Sequence, residues 1–263
     1  MGPRITILAV VTTVALAGCQ TTDPKVQTAA LSQSDRLVAL AADIETRGEG
    51  GTAIALYQRA AALPDASTSA LVKAGEAYMR AGYPEEAAKV YRTALARSPN
   101  DGPALLGLGS AMIETGDAEA GVRALAQAAP IVNTSRAYNR LGVAQIFAGQ
   151  VDQAQVSLAQ ALKLEPGDLD VQTNMALAAA LKGDAATALP LVQQVAAAPN
   201  AQLRHKRNVV IVYALLGQAG QIRAAAPVGL TSKEVESLIA RGNSIRAENS
   251  LQAKAKALGS ISA

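Results

Sequence analysis

Residues 135–168 read SRAYNRLGVAQIFAGQVDQAQVSLAQALKLEPGD, two helix-forming runs on either side of Gly149, closed by the turn residues Pro166-Gly167-Asp168. Gly149 has counterparts at Gly48, Gly82, Gly116, Gly183 and Gly217, and the six are spaced 34, 34, 33, 34 and 34 residues apart. A period held over five intervals predicts one helical hairpin stacked six times, not a chain folded around a single core. Such a stack offers an extended binding surface and usually no catalytic pocket.

Counting back fourteen residues from each glycine starts a repeat and brings other positions into line. The fourth repeat, from Ser135, carries Tyr138, Leu141, Gly142, Gly149, Ala154, Leu158, Ala161 and Pro166, and the second, from Thr68, carries Gly75, Tyr78, Gly82, Ala87, Tyr91, Ala94 and Pro99. These residues resemble the tetratricopeptide-repeat (TPR) pattern at positions 4, 7, 8, 11, 15, 20, 24, 27 and 32, over roughly residues 34 to 226. The resemblance implies an all-α, right-handed superhelical solenoid of about six hairpins. Small residues at positions 8 and 20 let paired helices approach, and larger ones fill the gaps between them. Glycine at position 15 ends the first helix in a left-handed conformation, and proline near position 32 stops the second.

The expected repeats are 34–67, 68–101, 102–134, 135–168, 169–202 and 203–226. Early prolines at Pro64 and Pro130 loosen the first and third, and Pro227 cuts the sixth short. A capping helix is expected over 227–246, opened by the capping box Thr231-Ser232-Lys233-Glu234. It would cover the apolar face of the sixth repeat with Val235, Leu238 and Ile239. The remaining 247–263, rich in Ala, Ser and Lys, reads either as an extension of the last helix or, over much of its length, as disordered, and disorder is the expectation.

At the other end, Arg4 precedes an apolar run from Ile5 to Leu16, then Ala17, Gly18 and Cys19. A basic start, a short apolar run and small residues before a cleavage point describe a secretory signal peptide over 1–18. Leu16-Ala17-Gly18-Cys19 resembles the bacterial lipobox, which implies that Cys19 is lipidated and becomes the first mature residue. The other reading is an ordinary cleaved leader with a leftover cysteine. Lipidation fits this cysteine, which is the only one in the chain. Several acyl chains would make a durable anchor where one would not. Gln20 after the cysteine, by the same resemblance, implies the outer membrane, with the protein facing the periplasm. Residues 19–33 read as a polar, flexible tether.

Half the residues are apolar, yet the sequence has one Phe and no Trp, so small aliphatic residues dominate an all-helical chain. Without Arg4, 23 basic residues stand against 21 acidic ones. That balance gives no reason to expect a nucleic-acid partner. Nothing in the motifs suggests an enzyme, a cofactor, a metal or a small-molecule substrate. His205 is the only histidine and has no cysteine companions for a zinc site. Gly107-Leu108-Gly109 has no preceding strand, and Gly109 falls at position 8, a packing position. Asp168-Leu169-Asp170 opens a helix, where acids favour the positive terminus.

One polar feature is left over, Arg204-His205-Lys206-Arg207-Asn208 on the first helix of the sixth repeat. It reads either as a solvated helix face or as part of a groove. In the TPR fold, positions 2 and 6 face the groove. They hold Arg136 and Arg140 in repeat four, Asn174 in repeat five, and Arg204 and Asn208 in repeat six. Together these would form a positive stripe able to take an acidic or C-terminal peptide segment. The stripe resembles part of the carboxylate clamp of chaperone-binding TPR proteins. Asn139 and Val143 replace that clamp's Lys–Asn pair, which leaves a general peptide groove.

Repeat six also resembles the TPR lipoproteins (TadD-like) of the Tad (tight adherence, Flp pilus) system. The likeness lies in Arg207-Asn208, the apolar run Val209 to Gly217, and Leu230-Thr231 leading to Glu234-Val235. Val209 and Val210 depart from that family's Leu-Ala, and Gln218 from its acid. The resemblance implies a non-catalytic, membrane-tethered interaction scaffold that helps an outer-membrane secretin localise or assemble for pilus biogenesis. A pilotin of another type IV pilus or secretion system stays open. So does an adaptor for cell-wall hydrolases or outer-membrane protein assembly.

Overall fold

The computed structural model describes residues 31–224 and 227–259, and every regular element among them is helical. The signal sequence, the Cys19 lipobox and most of the expected tether lie outside the described residues. Six hairpins follow in order: α1 (Gln33–Thr46) with α2 (Gly50–Ala62), α3 (Thr68–Arg80) with α4 (Pro84–Arg97), and α5 (Gly102–Glu114) with α6 (Ala118–Val132). Then come α7 (Ser135–Phe147) with α8 (Val151–Leu164), α9 (Leu169–Leu181) with α10 (Ala185–Ala197), and α11 (Leu203–Leu215) with the short α12 (Ala219–Ala224). Each helix packs on its neighbours in sequence, which is the TPR solenoid arrangement.

The glycine ladder is the set of hairpin turns. All six glycines have left-handed φ values, from 73° to 89°. At each turn the next residue's N–H reaches five residues back, as from Tyr83 to the carbonyl of Tyr78 at 2.9 Å and from Gln150 to that of Gln145 at 2.8 Å. That bond and the αL glycine make a Schellman cap, which satisfies carbonyls the helix end would otherwise leave open. First helices are also capped at their start. Ser32, Ser67, Asp101, Thr134 and Asp168 each accept a backbone N–H from the first turn of the following helix.

Between paired helices the small positions do what their size allows. A Cβ on Gly142 would lie 2.6 Å from Leu158 Cγ, and one on Gly109 would lie 3.0 Å from the carbonyl oxygen of Gly121. The larger side chains at position 24, Tyr57, Tyr91, Leu125, Leu158 and Val192, are all buried. Prolines follow α2, α4, α8 and α10 by two residues. Repeat three differs. Pro130 lies inside α6, which runs on to Val132 and ends at Asn133 in the left-handed region, φ 47°. There the asparagine, not the proline, stops the helix.

The C-terminal region is more ordered than its composition suggested. α13 (Ser232–Ala247) opens on a reciprocal capping box between Thr231 and Glu234 and packs along α11, burying Val235, Ile239, Gly242 and Ile245. Over 251–259, part of the stretch expected to be disordered, the chain instead forms α14 (Leu251–Gly259), which rests on α7, α9 and α13; residues 260–263 lie outside the described residues. Ser250 accepts the N–H of Ala253 to start it, and Ala255 and Leu258 are buried. The stripe Leu251, Ala255, Leu258, at i, i+4 and i+7, gives this short segment one apolar side to bury.

Candidate peptide-binding groove

The first helices of repeats two to four line an open groove of about 890 Å³. Its floor is shaped by Tyr91, which comes from the second helix α4. The ring lies where Cβ atoms on Gly75 and Gly107 would need to be, 2.6 Å and 2.2 Å from its carbons. Two helix-interior glycines therefore admit one aromatic ring between α3 and α5. Burial, first of all, pushes the Tyr91 hydroxyl far above the ordinary phenol range, so it stays protonated.

Several charges reach this groove, and some are already neutralised. Arg80 makes a bidentate pair with Glu45, at 2.9 and 2.7 Å, and Glu76 pairs with Lys73 at 3.1 Å. That leaves Glu114, Arg136 and Arg140 on the lining without an ion pair among the described residues. Arg140 is half-buried, and its one side-chain hydrogen bond among the described residues is a long one, from Nη1 to Ser110 Oγ at 3.4 Å. Burial, then the adjacent Arg136, pull its guanidinium below the usual value, yet it remains a cation. Glu76 and Glu114 on the same lining attract it, but neither forms an ion pair with it, and a half-desolvated cation in that state gains when an anion reaches pairing distance.

The expected stripe does not run unbroken to repeat six. Arg136 and Arg140 line the groove, while Asn174 donates to Asn139 Oδ1 at 2.9 Å and braces that lining residue from the next repeat. Arg204 does not face the groove with a free charge, because it forms a bidentate pair with Asp170, both contacts at 3.0 Å, and also meets Gln202. The same carboxylate takes His205 Nε2 at 2.7 Å. His205 Nδ1 accepts the N–H of Gln202 at 3.1 Å, so the proton sits on Nε2 and is donated to Asp170. Lys206 bonds the carbonyl of Val228, and Arg207 pairs with Glu234 of α13. The basic run thus ties repeat six to repeat five and to the C-terminal helix. Asn208 is half-buried on α11 and is not among the groove residues.

Reading positions 2 and 6 alone missed Glu76, Glu114 and Phe147 on the lining. They stand at positions 9 and 13 of their first helices, so the same register contained the signal. Among the described residues, no cluster of His, Cys, Asp and Glu is placed to hold a metal ion, and no helix is long and apolar enough to cross a membrane.

A stack of glycine-turned hairpins around an open groove defines the class: the chain has the fold of a TPR-repeat protein, a fold consistent with a protein–protein interaction scaffold. Residues 37–147 match the family model of the cilia and flagella-associated protein 70 middle TPR-like domain, and residues 135–168 match a tetratricopeptide repeat. No curated protein matches the sequence. Among solved structures, PilF of Pseudomonas aeruginosa is similar with a TM-score of 0.61 at 19% identity, over 79% of this chain and 96% of that one. MamA of Desulfovibrio magneticus RS-1 gives 0.56 at 19% identity, over 63% and 94% of the two chains. YrrB, a TPR protein described as having an unusual peptide-binding site, gives 0.51 at 22%, over 60% and 82%. At these identities the likeness is one of fold.

Proposed function

We propose that the chain is a non-catalytic, lipid-tethered scaffold whose groove in repeats two to four captures a segment of a protein partner. The partner is an outer-membrane secretin or another assembly component of a Flp/Tad pilus. The observation that carries this reading is Arg140, a half-buried cation on the lining of an open groove, which Glu76 and Glu114 on the same lining attract without either pairing with it. It suits a peptide carrying an acidic side chain or a terminal carboxylate, with Arg136 as the outer contact. The lipobox at Cys19 supports a membrane anchor on the periplasmic side of the outer membrane, and the Tad-like residues of repeat six support the pilus role. The likeness to PilF, and the peptide-binding site of YrrB, accord with a scaffold of this kind. Tethering would raise the partner's effective concentration at the membrane, so the groove need not bind tightly.

Crosslinking the full chain to its neighbours in membranes of the native host, with mass spectrometry of what is captured, tests the reading. The expected result is a secretin or pilus component, lost with Arg140→Glu and mislocalised with Cys19→Ser. Capture of hydrolases or barrel-assembly factors, or normal partner localisation in the Cys19→Ser strain, would overturn it.

A further inference from the structure

The groove face changes character along the solenoid. Position 13 of successive first helices holds Arg80, Glu114, Phe147, Leu181 and Leu215. Where that series is charged the face is open, and where it is apolar the chain's own C-terminal helices cover it. Phe147 stands at the border, lining the open groove while packing against the buried cluster that holds Ala255 and Leu258.

The two covering helices are held very differently. α13 is fastened by its capping box, by Arg207–Glu234 and Arg223–Glu236, and by Gly242, where a Cβ would lie 2.5 Å from that of Ala214. α14 is nine residues long, well below the length at which a helix persists alone in water. Of its side chains only Ala255 and Leu258 are buried, and Lys254 and Lys256 form no ion pair among the described residues. Its first turn lies over the open hairpin glycine Gly149, where Gln252 occupies the space a side chain would take.

We propose that α14 is a displaceable occupant of a helix-binding seat on α7 and α9. The seat takes an amphipathic partner helix with apolar residues at i, i+4 and i+7 and a small one in the middle. α14 itself shows this chemistry in Leu251, Ala255 and Leu258. The seat joins the open groove at Phe147, so a partner helix lodged there leads its flanking residues toward Arg140. This second point rests on the groove being the partner's site; the seat itself does not. Because α14 is tethered, it competes at an effective concentration on the order of millimolar, and an incoming helix binds weakly until α14 leaves.

The test uses the full chain and a labelled synthetic peptide of residues 248–259, with binding followed by fluorescence anisotropy. A chain carrying Ala255→Asp and Leu258→Asp should bind the peptide at least tenfold more tightly than the unsubstituted chain. A peptide with the same two substitutions should not bind. Equal affinity for the two chains, or undiminished binding of the substituted peptide, overturns the proposal. Hydrogen exchange on the unsubstituted chain gives an answer even if the variant misfolds. The amides of α14 should exchange at least tenfold faster than those of α13, and equal protection overturns the proposal. Binding of a glutamate-rich peptide to the same chain reports on the groove by itself, which separates failure of the seat from failure of the groove reading.

Discussion

The ring of Tyr91 fills the space that a side chain on Gly107 would require, coming within 2.2 Å of where that Cβ would sit. Gly107→Ala must therefore push the ring off its packed position. The expected cost is about 1–3 kcal/mol, the usual range for overpacking. Tyr91→Leu should relieve the clash while opening a void of its own, so the double variant should be more stable than the sum of the single losses allows. Urea unfolding of the four chains checks this, and strict additivity would show that the two residues do not compete for one space.

Asp170 carries the joint between repeats five and six. Burial works to raise its pKa, but hydrogen bonds from Arg204 and His205, together with the charge of Arg204, outweigh that and hold it below the ordinary value. A depressed carboxylate gives its full stabilisation above the unfolded value near 3.8 and loses it as pH falls through the lower folded value. The unsubstituted chain should therefore lose stability below about pH 4 more steeply than Asp170→Asn does. At neutral pH, Asp170→Ala leaves the buried Nε2–H of His205 without its acceptor, at a cost of about 1–3 kcal/mol. Denaturant midpoints measured from pH 7 to pH 3 check both statements.

Arg140 should behave as a binding residue and not as a structural one. Its guanidinium is partly desolvated and forms no ion pair among the described residues, so Arg140→Met should leave stability within about 0.5 kcal/mol of the parent, or raise it. A glutamate-rich peptide that binds the parent should bind this variant at least tenfold more weakly. Binding to the parent should also weaken with added salt. A large loss of stability in Arg140→Met would assign the residue to the fold.

Gly183 isolates the backbone term at the hairpin turns. Its φ is 77° and a Cβ there would meet nothing within 4 Å, so substitution adds strain without a clash. Gly183→Ala should cost about 1 kcal/mol, and Gly183→Asn distinctly less, because asparagine tolerates the left-handed region. Gly142→Ala, at ordinary φ but against Leu158, should fail through packing instead. Thermal unfolding of the three variants separates the mechanisms.

The hairpins were legible because one glycine per 34 residues marks a fixed event, the αL turn, and its neighbours are packing positions of predictable size. Register alone also brought Arg136 and Arg140 to the groove. It misplaced Arg204 because the facing residue was left out of account. Asp170 stands at the same position 2 one repeat earlier, and equivalent positions in successive first helices are spatial neighbours. α14 escaped for a different reason. Its alanines and lysines resemble a disordered tail when taken alone. Its order comes with packing on α7 and α9, more than sixty residues upstream, where the apolar character of Phe147 and Leu181 at position 13 shows only when the repeats are compared.

Burial along the stack is graded. α1 buries only Ser34 and Ala41, whereas α9 buries most of its length between α10, α11 and the C-terminal helices. In a solenoid each hairpin leans only on its neighbours, so a tension applied at the N-terminal end meets the weakest hairpin first. The chain should pay out from α1 inward, one hairpin at a time, with the block of α9, α11 and α13 yielding last. Extended this way, it would lengthen under load at its N-terminal end while its C-terminal end stayed folded.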